Sequence, residues 1–248
     1  MAKRGKGRRR ALAILGAALA ALMVAALVYL NTYYNASDAA LAALASDDAV
    51  AVTTQDDGDI VFAPASGTST EGLVFYPGGK VDQRAYAPLM RACAQRGFTC
   101  VLVRMPFNLA VLDQDAAAGE QDAFPEVSRW YIGGHSLGGA MAASYAAGHA
   151  GEYEGLLLCA AYSTKDLSGT GLAVESVYGT ADGVLNRESY DRYRSNAPQM
   201  VEDAIEGGCH SYFGDYGLQD GDGQPAITRE EQLERTADDL VALARQDG

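Results

Sequence analysis

The sequence predicts an α/β domain: a mostly parallel central sheet with helices on both faces and a minimal lid, preceded by a single N-terminal transmembrane helix. Three observations predict it. From Gly72 onward, short apolar segments alternate with amphipathic ones, the pattern of strands joined by helical crossovers. Between "GLLLCAAY" and "AVESVYG" there are only ten residues, too few for a cap domain. Ahead of all this, "ALAILGAALAALMVAALVYL" (Ala11 to Leu30) carries no charge.

That N-terminal run is long enough to cross a bilayer, since twenty residues at about 1.5 Å each span roughly 30 Å. Lys3, Arg4, Lys6, Arg8, Arg9 and Arg10 precede it. Positive residues before a span favour a cytoplasmic N-terminus and place the rest of the chain outside. Tyr29, Tyr33 and Tyr34 fall where an interfacial aromatic belt would lie. The length of the run and its bulky end favour an uncleaved anchor over a cleaved signal peptide, whose apolar region usually covers about 7–15 residues. The expected organisation is a basic cytoplasmic N-terminus (1–10), a transmembrane anchor (11–30), a juxtamembrane linker or helix (31–48) and an outward-facing domain (49–248).

Charge narrows the partners. The net charge is -13, yet six positive charges sit in the first ten residues. The remaining 13 Lys and Arg face 32 Asp and Glu, or -19 for everything after residue 10. Such a body repels phosphate backbones, which argues against nucleic acid as a partner. The four cysteines, Cys93, Cys100, Cys159 and Cys209, match no zinc-site spacing, and no metal or cofactor is expected. Outside the cytoplasm a disulfide is permitted, and Cys93 with Cys100 is the pair close enough in sequence to form one.

The elements run in order along the chain. "VAVTTQ" and "DIVFAP" alternate around Asp56-Asp57-Gly58, a hairpin at one edge. "GLVFYPGG" is a short apolar strand of the buried parallel kind, ending in a Pro-Gly-Gly turn. Gln83 to Arg96 has helical spacing and stops at Gly97. "FTCVLVRMP" is a strand, Ala116 to Phe124 a helix and "WYIGGH" a strand; Ser136 to His149 is a helix, and "GLLLCAAY" and "AVESVYGT" are strands. Arg187 to Ser195 is helical, "MVEDAIEGG" a strand, and Arg229 to Gln246 a long amphipathic helix.

Gly134-His135-Ser136-Leu137-Gly138 fits G-x-S-x-G between a strand and a small-residue helix. Taken alone the pentapeptide could be a packing turn. In strand–turn–helix context it exposes the serine on a strained turn, which requires glycine two positions to either side. A nucleophile needs a base and the base an orienting acid. His135 lies inside the turn and His149 at a helix end; His210 comes after the last strand, where a base belongs in the order Ser, Asp, His. Asp182 in "VYGTADGV" is the candidate acid, ahead of Asp166, with Asp215 too close to His210 in sequence. For an oxyanion, the candidate donors are the Leu137 amide and that of Gly79 or Lys80 in "YPGGKVD". A calcium-loop reading of "QDGDGQP" fails, because Pro225 falls where that loop needs glycine.

With these residues in place the chain resembles the α/β-hydrolases, and among them the membrane-anchored bacterial hydrolases of the dienelactone-hydrolase-like group. The resemblance spans about Ala49 to Leu243 and rests on "FYPGGKVD", "GGHSLGG", "YGTADGV" and "GGCHSYFGDYGLQDGDG" in that order. It implies Ser136 as nucleophile, Asp182 as acid and His210 as base. Cys209 departs from the pattern, which has Asn before the histidine. The function so implied is hydrolysis of small-molecule carboxylic esters through an acyl-enzyme. Acyl transfer or peptide cleavage with the same residues, and a non-catalytic surface binding module, are the alternatives.

Overall fold

The computed structural model describes residues 3–246, with side chains from Leu12 onward. Met1, Ala2 and the side chains of the basic cluster lie outside the described residues. The chain divides into two compact units, Met1–Tyr33 and Tyr34–Gly248. The first contains helix α1 (Lys3–Asn31). Its segment Leu12–Asn31 has a mean hydropathy of 2.5 and no buried share, so by length and composition it could cross a membrane or serve as a signal sequence.

The second unit is built on one eight-stranded sheet. Its strands are β1 (Val50–Thr54), β2 (Ile60–Pro64), β3 (Glu71–Tyr76), β4 (Phe98–Leu102), β5 (Arg129–His135), β6 (Gly155–Cys159), β7 (Ala173–Gly179) and β8 (Val201–Ile205). They lie in the order β1-β2-β4-β3-β5-β6-β7-β8. The β1–β2 hairpin is antiparallel and joins the sheet antiparallel to β4; every pairing from β4 to β8 is parallel. The sheet is therefore mostly parallel, with the hairpin at one edge.

Burial explains why the central strands read as apolar runs. The last five residues of β3 and all of β4 and β6 are buried, because helices cover both faces. Helices α3 (Ala87–Gln95) and α6 (Arg229–Arg245) pack on one face, contributing Leu89, Met90, Leu233, Leu240 and Leu243 to the core. Helix α4 (Leu137–Gly148) packs on the other through Ala142, Ala143 and Ala146. Thr228 starts α6 with a reciprocal capping box to Glu231. The short helix α5 (Arg187–Tyr193) is capped by Asn186. Ala160 to Leu172, between β6 and β7, contains no helix, so nothing there builds a cap.

One sequence expectation changes. Ala116 to Phe124 is not an α-helix; only a 3-10 turn forms, at Glu120–Ala123. The Tyr76 hydroxyl intrudes there, accepting from Ala117 N at 2.9 Å and donating to Gln114 O at 2.8 Å, and Gly119 turns left-handed. Those contacts replace the backbone ladder of a helix. The second compact unit begins at Tyr34 and so takes in the segment ahead of Ala49. Ser37 caps helix α2 (Asp38–Ala42), and Arg91 of α3 reaches Ala43 O, Ala45 O and Asp47. Cys93 and Cys100, between which a disulfide was permitted, are both buried free thiols, as are Cys159 and Cys209.

Candidate active site

Strand β5 delivers Ser136 to the start of α4 with φ 53° and ψ -122°, a conformation that non-glycine residues rarely adopt. The surroundings hold it there. Ser136 N donates to Cys159 O at 2.9 Å, and Ser136 O accepts from Ala140 N at 3.1 Å. The two flanking glycines are needed for space. A Cβ on Gly134 would come within 2.7 Å of Tyr76 O, and one on Gly138 would run into the carbonyls of Pro77 and Tyr76. The turn can therefore close against the end of β3 only with glycine at both places.

His210 and Asp182 come from loops after β8 and β7. His210 Nδ1 and Asp182 Oδ2 are 2.9 Å apart, and their side chains are 1% and 2% exposed. The other carboxylate oxygen, Asp182 Oδ1, accepts from Val184 N at 2.8 Å and Leu185 N at 2.7 Å. An acid held this way makes Nδ1 the protonated nitrogen of the ring. The opposite nitrogen, His210 Nε2, is buried and has no partner. Ser136 and His210 line the same cavity of about 400 Å³, with Leu137, Met141, Tyr162, Val184 and Leu185 among its walls.

The histidine loop is positioned by two residues that sequence reading did not single out. Asp222 accepts from His210 N (3.1 Å), Ser211 N (2.8 Å) and Ser211 Oγ (2.6 Å), and also from Gly183 N (3.2 Å) beside Asp182. These hydrogen bonds outweigh partial burial and hold its carboxyl below the usual aspartate range. Gln232 of α6, fully buried, brackets Cys209 through both backbone groups. The available signal for Gln232 was a polar residue on the apolar stripe of an amphipathic helix. For Asp222 it was the cluster of acids and glycines in "QDGDGQP".

His135 is fully buried, and its ring lies 4.5 Å from that of His210. Gly78 N donates to Tyr86 Oη at 3.0 Å, so the Tyr86 hydroxyl donates onward to His135 Nδ1, at 2.8 Å. Burial, reinforced by His210, pushes the His135 pKa well below the usual imidazole value. It stays neutral and joins the Pro77–Lys80 loop to the serine turn. His149 caps α4 from outside the cavity and stacks on Tyr145 at 4.0 Å. Asp166 is exposed, with its carboxylate on Ser168 N. Asp215 pairs with Arg229 at 2.8 Å.

Two candidate oxyanion donors lie beside the serine turn. Leu137 N opens α4 and lacks an intrahelical acceptor by position. Gly79 lies against Leu137, whose Cδ2 a Cβ at Gly79 would approach to 2.8 Å. The Lys80 amide, the other candidate, donates to Asn108 O at 2.7 Å and is thereby occupied. The N-terminus of α4 adds a favourable field for negative charge at this point. Away from the cavity, Asp57, Asp59 and Glu120 bring possible metal-ligand oxygens within 4.8 Å of one another. Burial, then repulsion among these acids, raises Asp59 to about 6 and Glu120 to about 7.

The family model described as "Alpha/beta hydrolase family" matches residues 72–234. No curated protein matches the chain by sequence. Among solved structures, the chain is similar to a thermostable esterase from Pseudomonas putida, at 16% identity over 83% of this chain and 87% of that one, with TM-score 0.55. It is similar to esterase 2 of Thermogutta terrifontis, phosphoramylated by tabun, at 16% identity over 80% and 96%, with TM-score 0.52. It is also similar to a predicted CIB-like hydrolase from Thermoplasma acidophilum, at 16% identity over 77% and 98%, with TM-score 0.54.

Proposed function

The chain belongs to the alpha/beta hydrolase family, and from that premise we propose that it is a serine hydrolase that cleaves small carboxylic esters. One observation carries the reading. His210 has Nδ1 fixed on a buried carboxylate, keeps Nε2 without a partner, and shares a cavity with a serine held at φ 53°. That is the arrangement of a general base waiting for a hydroxyl proton.

His210 Nε2 takes the Ser136 proton as Oγ attacks the ester carbonyl. Asp182 keeps the ring in the tautomer that leaves Nε2 basic and stabilises the imidazolium that forms. The Leu137 and Gly79 amides receive the oxyanion, each donor worth about 10²–10³ in rate. His210 returns the proton to the departing alcohol, and water then releases the acyl group by the same route. Leu137, Met141, Val184 and Leu185 offer an apolar wall for the ester's carbon chain. The esterase neighbours support the choice of esters, and the tabun adduct of one of them suggests the probe.

The apolar N-terminal helix anchors the protein as a single-pass membrane protein with its catalytic domain extracytoplasmic. The long uncharged run behind a basic start supports this. A fluorophosphonate should label wild-type protein but not Ser136→Ala, and Ser136→Ala should lose p-nitrophenyl acetate hydrolysis. Full activity in Ser136→Ala would end this reading. Release of the protein from membranes by alkaline carbonate would end the anchoring.

A further inference from the structure

Tyr34 lies outside the residues matched by the family model, yet it touches both loops on which the proposed chemistry depends. Its backbone pairs in parallel with Val81. Tyr34 N donates to Lys80 O at 2.8 Å, and Tyr34 O accepts from Asp82 N at 2.8 Å. This fixes the loop that carries Gly79 together with Asn108, whose carbonyl takes the Lys80 amide. The Tyr34 side chain turns to the other loop. Its hydroxyl accepts from Asp220 N at 3.1 Å, and its ring lies 5.7 Å from that of Tyr216. Asp220 stands two residues before Asp222, which holds His210 N.

The loop after β3 needs this support. Lys80 has φ 62°, and the Gly78 amide is already spent on Tyr86. An oxyanion donor displaced by about 1 Å can cost on the order of 10² in rate, so whatever fixes Gly79 against Leu137 governs turnover. We infer that Tyr34 is a positioning residue: a strap from the segment preceding the matched region that couples the oxyanion loop to the histidine loop. The inference rests on the serine-hydrolase reading above. It predicts that the matched region alone is an incomplete enzyme.

The test uses the full chain in detergent, with Tyr34→Phe, Tyr34→Ala and Ser136→Ala, and with Tyr33→Ala as a neighbouring exposed control. The readouts are kcat and KM for p-nitrophenyl butyrate, inhibition by an aryl boronic acid and the melting temperature. Tyr34→Ala should lower kcat about 10-fold or more with KM within about twofold. Boronate binding should weaken by the same factor as kcat/KM, because both report the oxyanion site and substrate binding does not. Tyr34→Phe, which loses only the bond from Asp220 N, should fall between Tyr34→Ala and wild type, and Tyr33→Ala should match wild type. A purely structural Tyr34 would lower the melting temperature and leave kcat and boronate binding unchanged at temperatures where the protein is folded, and that result overturns the strap. Ser136-dependent hydrolysis that ignores Tyr34 overturns the strap alone. Hydrolysis that survives Ser136→Ala overturns the catalytic reading and the strap with it.

Discussion

Gln232 and Cys209 are bonded twice: Gln232 Oε1 accepts from Cys209 N at 3.0 Å, and Nε2 donates to Cys209 O at 2.8 Å. A side-chain amide here replaces a neighbouring strand. It fixes the residue immediately before His210 from the buried face of α6, so the helix that closes the core also sets the approach of the histidine loop.

Replacing Gln232 with Leu should therefore damage stability and activity together. Volume is nearly kept, but a buried amide and carbonyl lose their partners at about 1–3 kcal/mol each. Urea denaturation should show the loss as a lower midpoint with unchanged slope. Gln232→Glu keeps one oxygen for Cys209 N and should lie between Gln232→Leu and wild type. Unchanged stability in Gln232→Leu would mean that water or a shifted loop satisfies Cys209.

Asp222 separates positioning from folding more cleanly. It receives hydrogen bonds from both the His210 loop and the Asp182 loop, and so sets the two against each other. Asp222→Ala should lower kcat by about 10²-fold, the scale of an ångström of misplacement. KM should change little, because Asp222 lies outside the cavity wall. Asp222→Asn keeps one acceptor oxygen and should recover part of the rate. Equal kcat in Asp222→Ala and wild type, read from steady-state hydrolysis, would refute this.

These two residues show where the sequence was readable and where it was not. Strand and helix alternation comes from burial period, which is local, and it located all eight strands. The requirement for glycine at Gly134 and Gly138 was also local, since it arises from a turn between adjacent elements. Ser136, Asp182 and His210 could be grouped because strand ends order them along the chain. Tyr34 acts across 46 residues on Lys80, Gln232 across 23 on Cys209, and Asp222 across 39 on Gly183, the last from a position whose composition looks like an ordinary turn. No periodicity marks such contacts. The expected helix at Ala116–Phe124 failed for the same reason: a tyrosine from β3, forty-one positions away from Ala117, takes its amide.

A half-buried acid on α6 predicts a pH effect on stability. Burial, with the nearby Asp203 and Glu175 adding repulsion, raises Asp239 to about 7 from the usual 3.8, and its Oδ2 has no partner. Arg235, bonded to Asp203, opposes the shift only weakly. The folded pKa lies above the unfolded one, so the folded state holds the extra proton between about pH 4 and 7. Stability from this group is full below about pH 4 and is lost as pH rises through 7. Asp239→Asn should therefore raise the melting temperature at pH 8 and leave it nearly unchanged at pH 4. An equal gain at both pH values would show that ionisation is not the cause.

The cavity wall makes the last prediction, about substrate length. Leu185 is 8% exposed and lines the cavity of about 400 Å³ beside Val184 and Met141. Its backbone amide is held by Asp182 at 2.7 Å, so the side chain enters the cavity from a fixed point. Leu185→Trp should fill the apolar end without touching Ser136 or His210. Activity on p-nitrophenyl acetate should persist while activity on the octanoate falls about 10-fold or more, since each excluded methylene forfeits about 0.8 kcal/mol of burial. Leu185→Ala should shift the preference toward longer chains. A uniform loss across acetate, butyrate and octanoate would instead mean that the acyl chain lies elsewhere and that Leu185 contacts the leaving alcohol.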